Sequence, residues 1–485
     1  TVFGDISVFN KIYLPIYADG AAPISWKKTF SDHNVSEEFV IDGYNDCPTW
    51  FGENWWYDAK YVKSIPITTE FFILESSQGN DTLDTVKGFS EAVIANPNML
   101  NDFDILDFSF NPNIKYISGE CSFGKTNVKQ SPLETWNGNK ISFRGMTFLN
   151  NTNGATGLKL FMNYEINSLV ELDLSNTIWS VTGTSSSGNY TFSHANLPNL
   201  EVLNLSNASF ACENMKSNDD SNDIATGLCT FEYMNLPKLT TLNLSGTSFA
   251  KDDMAKTSWL NTKSASATFI GANLSILKNL DLSNTTFASK SMGFQYVVAG
   301  AVTFKSAILP ELENLNMNGT IFAVDGMKSG TETGKISTGS NFFELADLSK
   351  LDVLNLNGIV FATDGMCSLS EKNTEIATAE NTFKKAKLTS MKLLNLSEQT
   401  FSTNILKSYS KLEVGAYLFS YAEFDFDNFN AFYLNNKITL KATAFYTYET
   451  PTTFTVYGLV TKPSWFQLGW FSNVSWVENI PPSVP

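Results

Sequence analysis

The sequence predicts a mainly β solenoid with β-rich regions on both sides, and three observations carry that prediction. The chain has 485 residues, of which 43% are hydrophobic and 17% charged, so it can bury a large core beneath a surface poor in charge. One pattern recurs seven times between Phe161 and Leu406. Its centre reads LxLS, a short strand with both leucines on one face, and stacking such strands buries the face that none can bury alone.

Residues 1–139 contain no clean copy of the pattern and are interpreted as an aromatic-rich N-terminal region or cap. Trp50, Trp55 and Trp56 lie in the densest aromatic cluster of the chain, within residues 48–57. Such a cluster is typical of a small hydrophobic core, and the alternative is an aromatic contact surface for sugars. The segment KISFRGMTF, residues 140–148, matches the second half of a repeat, so the solenoid is predicted to begin at residue 140.

The clearest repeat is TFSHANLPNLEVLNLSNASFACENM, residues 191–215. Successive copies start 31, 39, 38, 35, 39 and 40 residues apart, which predicts about seven coils of about 37 residues over residues 140–410. One leucine column occurs in every copy and is predicted to point inward: Leu172, Leu203, Leu242, Leu280, Leu315, Leu354 and Leu394.

Two aromatic columns accompany the leucines and are predicted to stack from coil to coil. The first opens each copy, at Phe161, Phe192, Phe231, Phe269, Phe304, Phe343 and Phe383. The second closes it, at Trp179, Phe210, Phe249, Phe287, Phe322, Phe361 and Phe401.

Segments rich in Ser, Thr and Asn follow the conserved second aromatic and its Met, and nearly all the variation in repeat length lies there. Because the repeat positions are needed for burial, these inserts and the two ends of the chain are predicted to make the contacts with partners. The inserts span residues 216–228, 255–267, 293–302, 328–340 and 367–381.

A polar column follows the leucine column and predicts a ladder of amides hydrogen-bonded along the coil axis. Its members are Asp173, Asn204, Asn243, Asp281, Asn316, Asn355 and Asn395. No cofactor is predicted. Calcium is the one metal considered, at the DGM turns of Asp325 and Asp364, although each turn offers only one carboxylate.

Residues 411–485 are interpreted as a C-terminal cap or assembly module. The runs KITLKATAFYTY and TTFTVYGLV, on either side of Pro451, predict an antiparallel hairpin. Trp465 and Trp470 follow it and are candidate contact residues. A solenoid needs such a cover because its last strand otherwise exposes an unpaired edge.

Composition excludes several classes of function. The net charge of −16 without a Lys/Arg cluster argues against nucleic-acid binding. No apolar run is long enough for a transmembrane segment, and a chain that begins with Thr1 is expected to have lost a leader. There are two histidines, His33 and His194, and no motif of a hydrolase, metalloprotease or nucleotide-binding site, so no enzymatic activity is predicted.

Five cysteines are too few for a disulfide scaffold. Cys212 and Cys229 bracket one insert and are predicted to be bonded to each other, with two separate thiols as the alternative. Sequons occur at about the frequency expected by chance from the Ser and Thr content. The candidate glycosylation sites are Asn189, Asn204, Asn207, Asn243, Asn284 and Asn318.

The repeat F-x-x-A-x-L-x-x-L-x-x-L-N-L-S-x-T-x-F-A-x-D-x-M resembles the leucine-rich repeats of BspA-like bacterial surface proteins over about half of the chain. It departs from them by two extra residues after the opening Phe and by the inserts. The resemblance implies a leucine-rich-repeat-type solenoid in a secreted or surface-anchored protein without enzymatic activity.

The predicted function is adhesion or recognition at a cell surface, with proteins or glycans as partners. The alternative is a structural subunit that polymerises into a surface layer or filament. A polysaccharide-active enzyme is the third hypothesis. All three are extracellular.

Overall fold

The fold is seen in a computed structural model of the chain. It describes residues 11–13, 40–42, 64–66, 74–76, 83–86, 105–107, 136–145, 148, 155–156, 161–180, 185–213, 215, 224–252, 254, 261–289, 296–324, 327–329, 335–356, 358–361, 363, 367–368, 375–396, 411–414, 416–425, 431–433, 454–457, 462–463 and 474–478. These residues contain 29 strands, numbered β1 to β29 along the chain, and no helix.

The chain forms a parallel β-solenoid, which confirms the predicted fold class. The LxL segments of successive copies pair in parallel and form one sheet, here called the leucine ladder. Its strands are β3 (Ser64–Pro66), β6 (Ile105–Asp107), β7 (Lys140–Ser142), β9 (Glu171–Asp173), β11 (Val202–Asn204), β13 (Thr241–Asn243), β15 (Asn279–Asp281) and β17 (Asn314–Asn316).

The leucine column lies in register and points inward, as predicted. Leu203 pairs with Leu172 on one side and with Leu242 on the other. Leu242 is completely buried, and its strand neighbours Thr241 and Asn243 are only partly buried. The period of two along a strand therefore sends every leucine of the column into the core and, in the copies from Leu172 to Leu354, its two neighbours outward, whereas Asn395 beside Leu394 is buried.

The regular part of the solenoid has about five turns of about 38 residues, slightly fewer than the seven coils predicted. The leucine strands of five copies, β9 to β17, form a continuous run of the ladder. The strands of the last two copies, at Leu354 and Leu394, open a separate sheet. This sheet consists of β20 (Val353–Asn355), β24 (Leu393–Asn395), β27 (Ala431–Tyr433), β28 (Phe454–Tyr457) and β29 (Val474–Val477).

A second parallel sheet runs through all the copies. The inserts contribute its strands, so the prediction that the inserts are available to partners over their whole length is wrong. The second half of each insert is a strand that pairs with its counterpart in the next coil, and its inward side chains, such as Ile224 and Ile336, are fully buried. The strands are β8 (Ala155–Thr156), β10 (Ser186–Ser187), β12 (Ile224–Thr226), β14 (Thr262–Ser264), β16 (Tyr296–Ala299), β19 (Lys335–Thr338), β22 (Glu375–Thr378) and β25 (Lys411–Val414).

Both aromatic columns stack inside the solenoid, as predicted, and Phe401 of the second column lies outside the described residues. In the first column the rings of Phe231 and Phe269 are 4.6 Å apart and nearly parallel, with an angle of 12° between them. In the second column Phe287 and Phe322 are 4.7 Å apart. These distances match the strand spacing of about 4.8 Å, so each ring covers the equivalent ring of the next coil and water is excluded.

Buried hydroxyls close the corner in front of the first aromatic column. The side chain of Thr230 donates a hydrogen bond of 2.7 Å to the carbonyl of Gly188, and that of Thr268 donates one of 2.9 Å to Gly227. Gly188 has φ of +63°, and a Cβ there would lie 2.5 Å from the ring of Phe210. The glycine therefore allows both the left-handed turn and the close approach of the aromatic column.

Parallel pairing extends on both sides of the predicted limits at residues 140 and 410. Strands β3 and β6 join the leucine ladder from within residues 1–139. The predicted antiparallel hairpin is wrong, because β28 pairs in parallel with β27 on one edge and with β29 on the other. Both edges of β28 are therefore occupied, and no antiparallel partner can pair with it. Residues 437–448, the other half of that predicted hairpin, lie outside the described residues.

Four small two-stranded sheets complete the described secondary structure. One of them, β4 with β5, is antiparallel, and the other three are parallel. The pairs are β1 (Lys11–Tyr13) with β2 (Val40–Asp42), β4 (Leu74–Ser76) with β5 (Leu83–Val86), β18 (Lys328–Ser329) with β21 (Cys367–Ser368), and β23 (Lys387–Leu388) with β26 (Glu423–Phe424).

Candidate binding face of the leucine ladder

The outer surface of the leucine ladder carries two columns of side chains, one on each side of the buried leucines. Since neighbouring strands pair in register, equivalent side chains follow one another at about 4.8 Å from coil to coil. The column before the leucines contains Glu171, Val202, Thr241, Asn279 and Asn314, and the column after them contains Asp173, Asn204, Asn243, Asp281 and Asn316.

From Asp173 to Asn316, the side chains of the column after the leucines make local turns, and this part of the column forms little of the predicted amide ladder. The Oδ1 atom of Asn243 accepts the backbone N–H of Ser245 at 2.9 Å, and Oδ1 of Asp281 accepts that of Ser283 at the same distance. In such turns the side-chain oxygen accepts the backbone N–H two residues further along the chain, so this hydrogen bond stays within one coil. Along the axis, Asn204 Nδ2 also donates to Asp173 Oδ1 at 3.4 Å.

An amide ladder is present at another corner of the coil, where the sequence did not lead us to predict one. Asn235 Nδ2 donates to Asn196 Oδ1 at 2.8 Å, and Asn273 Nδ2 donates to Asn235 Oδ1 at 2.9 Å. The signal in the sequence is the Asn directly before the first leucine of each of these copies.

A shallow, open groove of about 300 Å³ lies on the outer face of strands β13, β15 and β17. It is called the ladder groove. Its lining consists of Thr241, Leu242, Asn243, Asn279, Leu280, Asp281, Asn314 and Asn316. Six of these eight residues are polar, and Asp281 alone among the eight carries a charge, so the groove offers amide and hydroxyl groups beside exposed apolar surface.

Ion pairs in the described part of the solenoid lie at its surface and join one coil to the next. Lys305 Nζ lies 2.7 Å from Glu344 Oε2. Lys278 Nζ lies 3.8 Å from Glu313 Oε1, and each of these two residues directly precedes an Asn that lines the ladder groove. Exposed pairs of this kind contribute at most about 1 kcal/mol each. They neutralise charge along the coils, in agreement with the low charged fraction of the chain.

The predicted aromatic contact residues Trp50, Trp55, Trp56, Trp465 and Trp470 lie outside the described residues. The same holds for His33 and for the calcium candidates Asp325 and Asp364. His194 is exposed, as predicted, and its ring lies 5.4 Å from that of Tyr233. No group of three or more His, Cys, Asp or Glu side chains that could hold a metal ion occurs within the described part of the chain.

The sequons differ in their access to solvent. Asn189 is buried, donates through Nδ2 to Ser186 Oγ at 2.6 Å and accepts the backbone N–H of Leu228 at 3.0 Å, so its amide cannot accept a glycan in the folded chain. Asn204 and Asn243 are half-buried in the ladder. The exposed candidates lie at turns that follow ladder strands: Asn207, Asn284 and Asn318.

The predicted disulfide between Cys212 and Cys229 is wrong, because the two thiols are not bonded to each other. Cys212 Sγ lies 3.2 Å from Ser180 Oγ of the preceding coil. Cys229 is buried, and burial, followed by the nearby Glu232 carboxylate, raises the pKa of its thiol to about 12. The second half of the insert between the two cysteines is strand β12, which pairs with β10 and β14, so the insert is not a free loop that would let the two sulfurs meet.

Comparison with known proteins yields no match to a family model, to a curated protein or to a solved structure. No helix in the described part of the chain is long and apolar enough to cross a bilayer.

Proposed function

We propose that the protein is an extracellular recognition protein that adheres to its partner without transforming it. The observation that carries this proposal is the outer face of the leucine ladder. From Glu171 to Asn316 its side chains are polar except for Val202, all are at least partly exposed, and they are not needed for burial, because the leucines between them already fill the core. A regular surface of this kind is how solenoid proteins bind extended partners.

The chemistry of the ladder groove supports binding over turnover. Hydrolysis of a glycosidic bond ordinarily uses two carboxyl groups, one as acid and one as base or nucleophile. The groove contains one carboxylate, that of Asp281, and its Oδ1 accepts a turn N–H. The resemblance of the repeat to those of BspA-like bacterial surface proteins also supports a binding function without enzymatic activity.

The experiment is an adhesion assay with the purified chain on beads, scored against immobilised polysaccharides and extracellular proteins, with released reducing ends measured in parallel. We expect saturable adhesion that survives a tenfold increase in NaCl, since the groove binds through amides and hydroxyls rather than through charge. Failure to adhere to any surface, or release of sugar ends from a bound polysaccharide, would contradict the proposal.

Self-assembly into a layer or filament is the second candidate, and an apolar corner of the solenoid favours it. Ile308 and Leu345 lie on adjacent coils after the first aromatic column and are 48% and 47% exposed, and Tyr233, three coils before Leu345, is 53% exposed. Large exposed apolar side chains near one another mark surfaces for association. Electron microscopy of the purified chain separates the two candidates: ordered polymers support assembly, and dispersed particles that still adhere support recognition.

A further inference from the structure

We propose that the ladder groove binds a neutral oligosaccharide laid across strands β13, β15 and β17. This inference rests on the proposed recognition function and names the class of ligand. The groove is small for a ligand site, so it holds a short run of sugar residues.

The row after the leucines presents donors and acceptors in alternation. Because Oδ1 of Asn243 and Oδ1 of Asn316 accept turn N–H groups, each amide is held with its Nδ2 available as a donor. Between them, Oδ1 of Asp281 is held in the same way, which leaves Oδ2 as an acceptor. The row therefore reads donor, acceptor, donor from coil to coil. Neighbouring sugar hydroxyls, each able to donate and accept, are complementary to this order.

The row before the leucines completes the site. Asn314 Nδ2 donates to Asn279 Oδ1 at 2.8 Å across two strands. This bond fixes both amides and leaves Asn279 Nδ2 as a donor and Asn314 Oδ1 as an acceptor on the outer face. Thr241 adds a hydroxyl at the same level. Side chains already held by hydrogen bonds lose little conformational entropy when a ligand binds.

Charge and backbone pairing select against other occupants. The single carboxylate of Asp281 repels anionic glycans, and no cation lines the groove to attract them. A peptide cannot add as a strand to β13 or β15, because both are already paired on both edges, and β17 is the one groove strand at an end of the ladder.

The test measures binding of cellohexaose, mannohexaose and chitohexaose, with a hexagalacturonate as the anionic probe, by titration calorimetry. The informative variant is Asp281→Asn, which keeps Oδ1 for the turn and replaces the Oδ2 acceptor by a donor. The matched control is Asp173→Asn, which removes the same charge and keeps the same turn, made with Ser175 at 2.9 Å, two coils outside the groove.

We expect at least one neutral hexasaccharide to bind, Asp281→Asn to weaken it by about tenfold or more, and Asp173→Asn to leave it unchanged. Equal binding by both variants, or binding of the hexagalacturonate alone, would overturn the inference. If the chain adheres to surfaces in the bead assay but binds no neutral hexasaccharide, the inference fails while the recognition function stands. If it neither adheres nor binds, both fail.

Discussion

Replacing Phe269 with Ala is expected to lower the free energy of unfolding by about 3–5 kcal/mol, the largest effect that we expect of any single substitution in the chain. The ring is fully buried and stacked between Phe231 at 4.6 Å and Phe304 at 4.9 Å. Truncation removes its buried surface and leaves a cavity that rings fixed on both sides cannot fill. Urea denaturation followed by circular dichroism measures the change.

The control for Phe269→Ala is Tyr233→Ala, an aromatic truncation one coil away at a side chain that is 53% exposed. It should change stability by less than about 1 kcal/mol, because most of its surface is already in water. Similar losses from both variants would mean that the aromatic column does not hold the coils together.

Leu242→Ala is expected to lower the free energy of unfolding by about 2–5 kcal/mol. Leu242 is completely buried and lies in the ladder between Leu203 and Leu280. The neighbouring residue on the same strand, Thr241, points outward. Thr241→Ala is therefore a control that truncates a side chain on the same strand without opening the core. Its loss should stay below about 0.5 kcal/mol. A loss at position 241 equal to that at 242 would contradict the register of the whole ladder.

The periodic part of the fold was predictable because each copy repeats the same pattern of apolar residues. Leu242, Phe231 and Phe249 recur at fixed offsets in neighbouring copies, and burial follows once the copies stack. The direction of β28 was not predictable in this way. Alternating residues around Pro451 suit an antiparallel hairpin as well as a coil strand, and only the available edges of β27 and β29 decide between them.

The polar features were less predictable, because amide chemistry depends on the turn that follows. Asn204 and Asn196 both recur as columns in the sequence, but the Oδ1 of Asn204 is taken by the N–H of Ser206 at 3.0 Å, whereas Asn196 is left to accept from the next coil. The ladder groove likewise depends on the shape of three adjacent strands, which no single repeat encodes. Strand β12, which lies between the unbonded Cys212 and Cys229, was likewise not indicated by the composition of the insert.

A pair of matched Trp substitutions tests whether recognition takes place on the outer face of the leucine ladder. Asn279→Trp places a large ring at an exposed position in the ladder groove, and Val298→Trp places the same ring on strand β16 of the second sheet. Both variants are compared with the unchanged chain in the bead adhesion assay. We predict that Asn279→Trp reduces adhesion by about tenfold or more and that Val298→Trp leaves it intact. Full adhesion by Asn279→Trp, or loss by Val298→Trp alone, would show that recognition does not take place on this face.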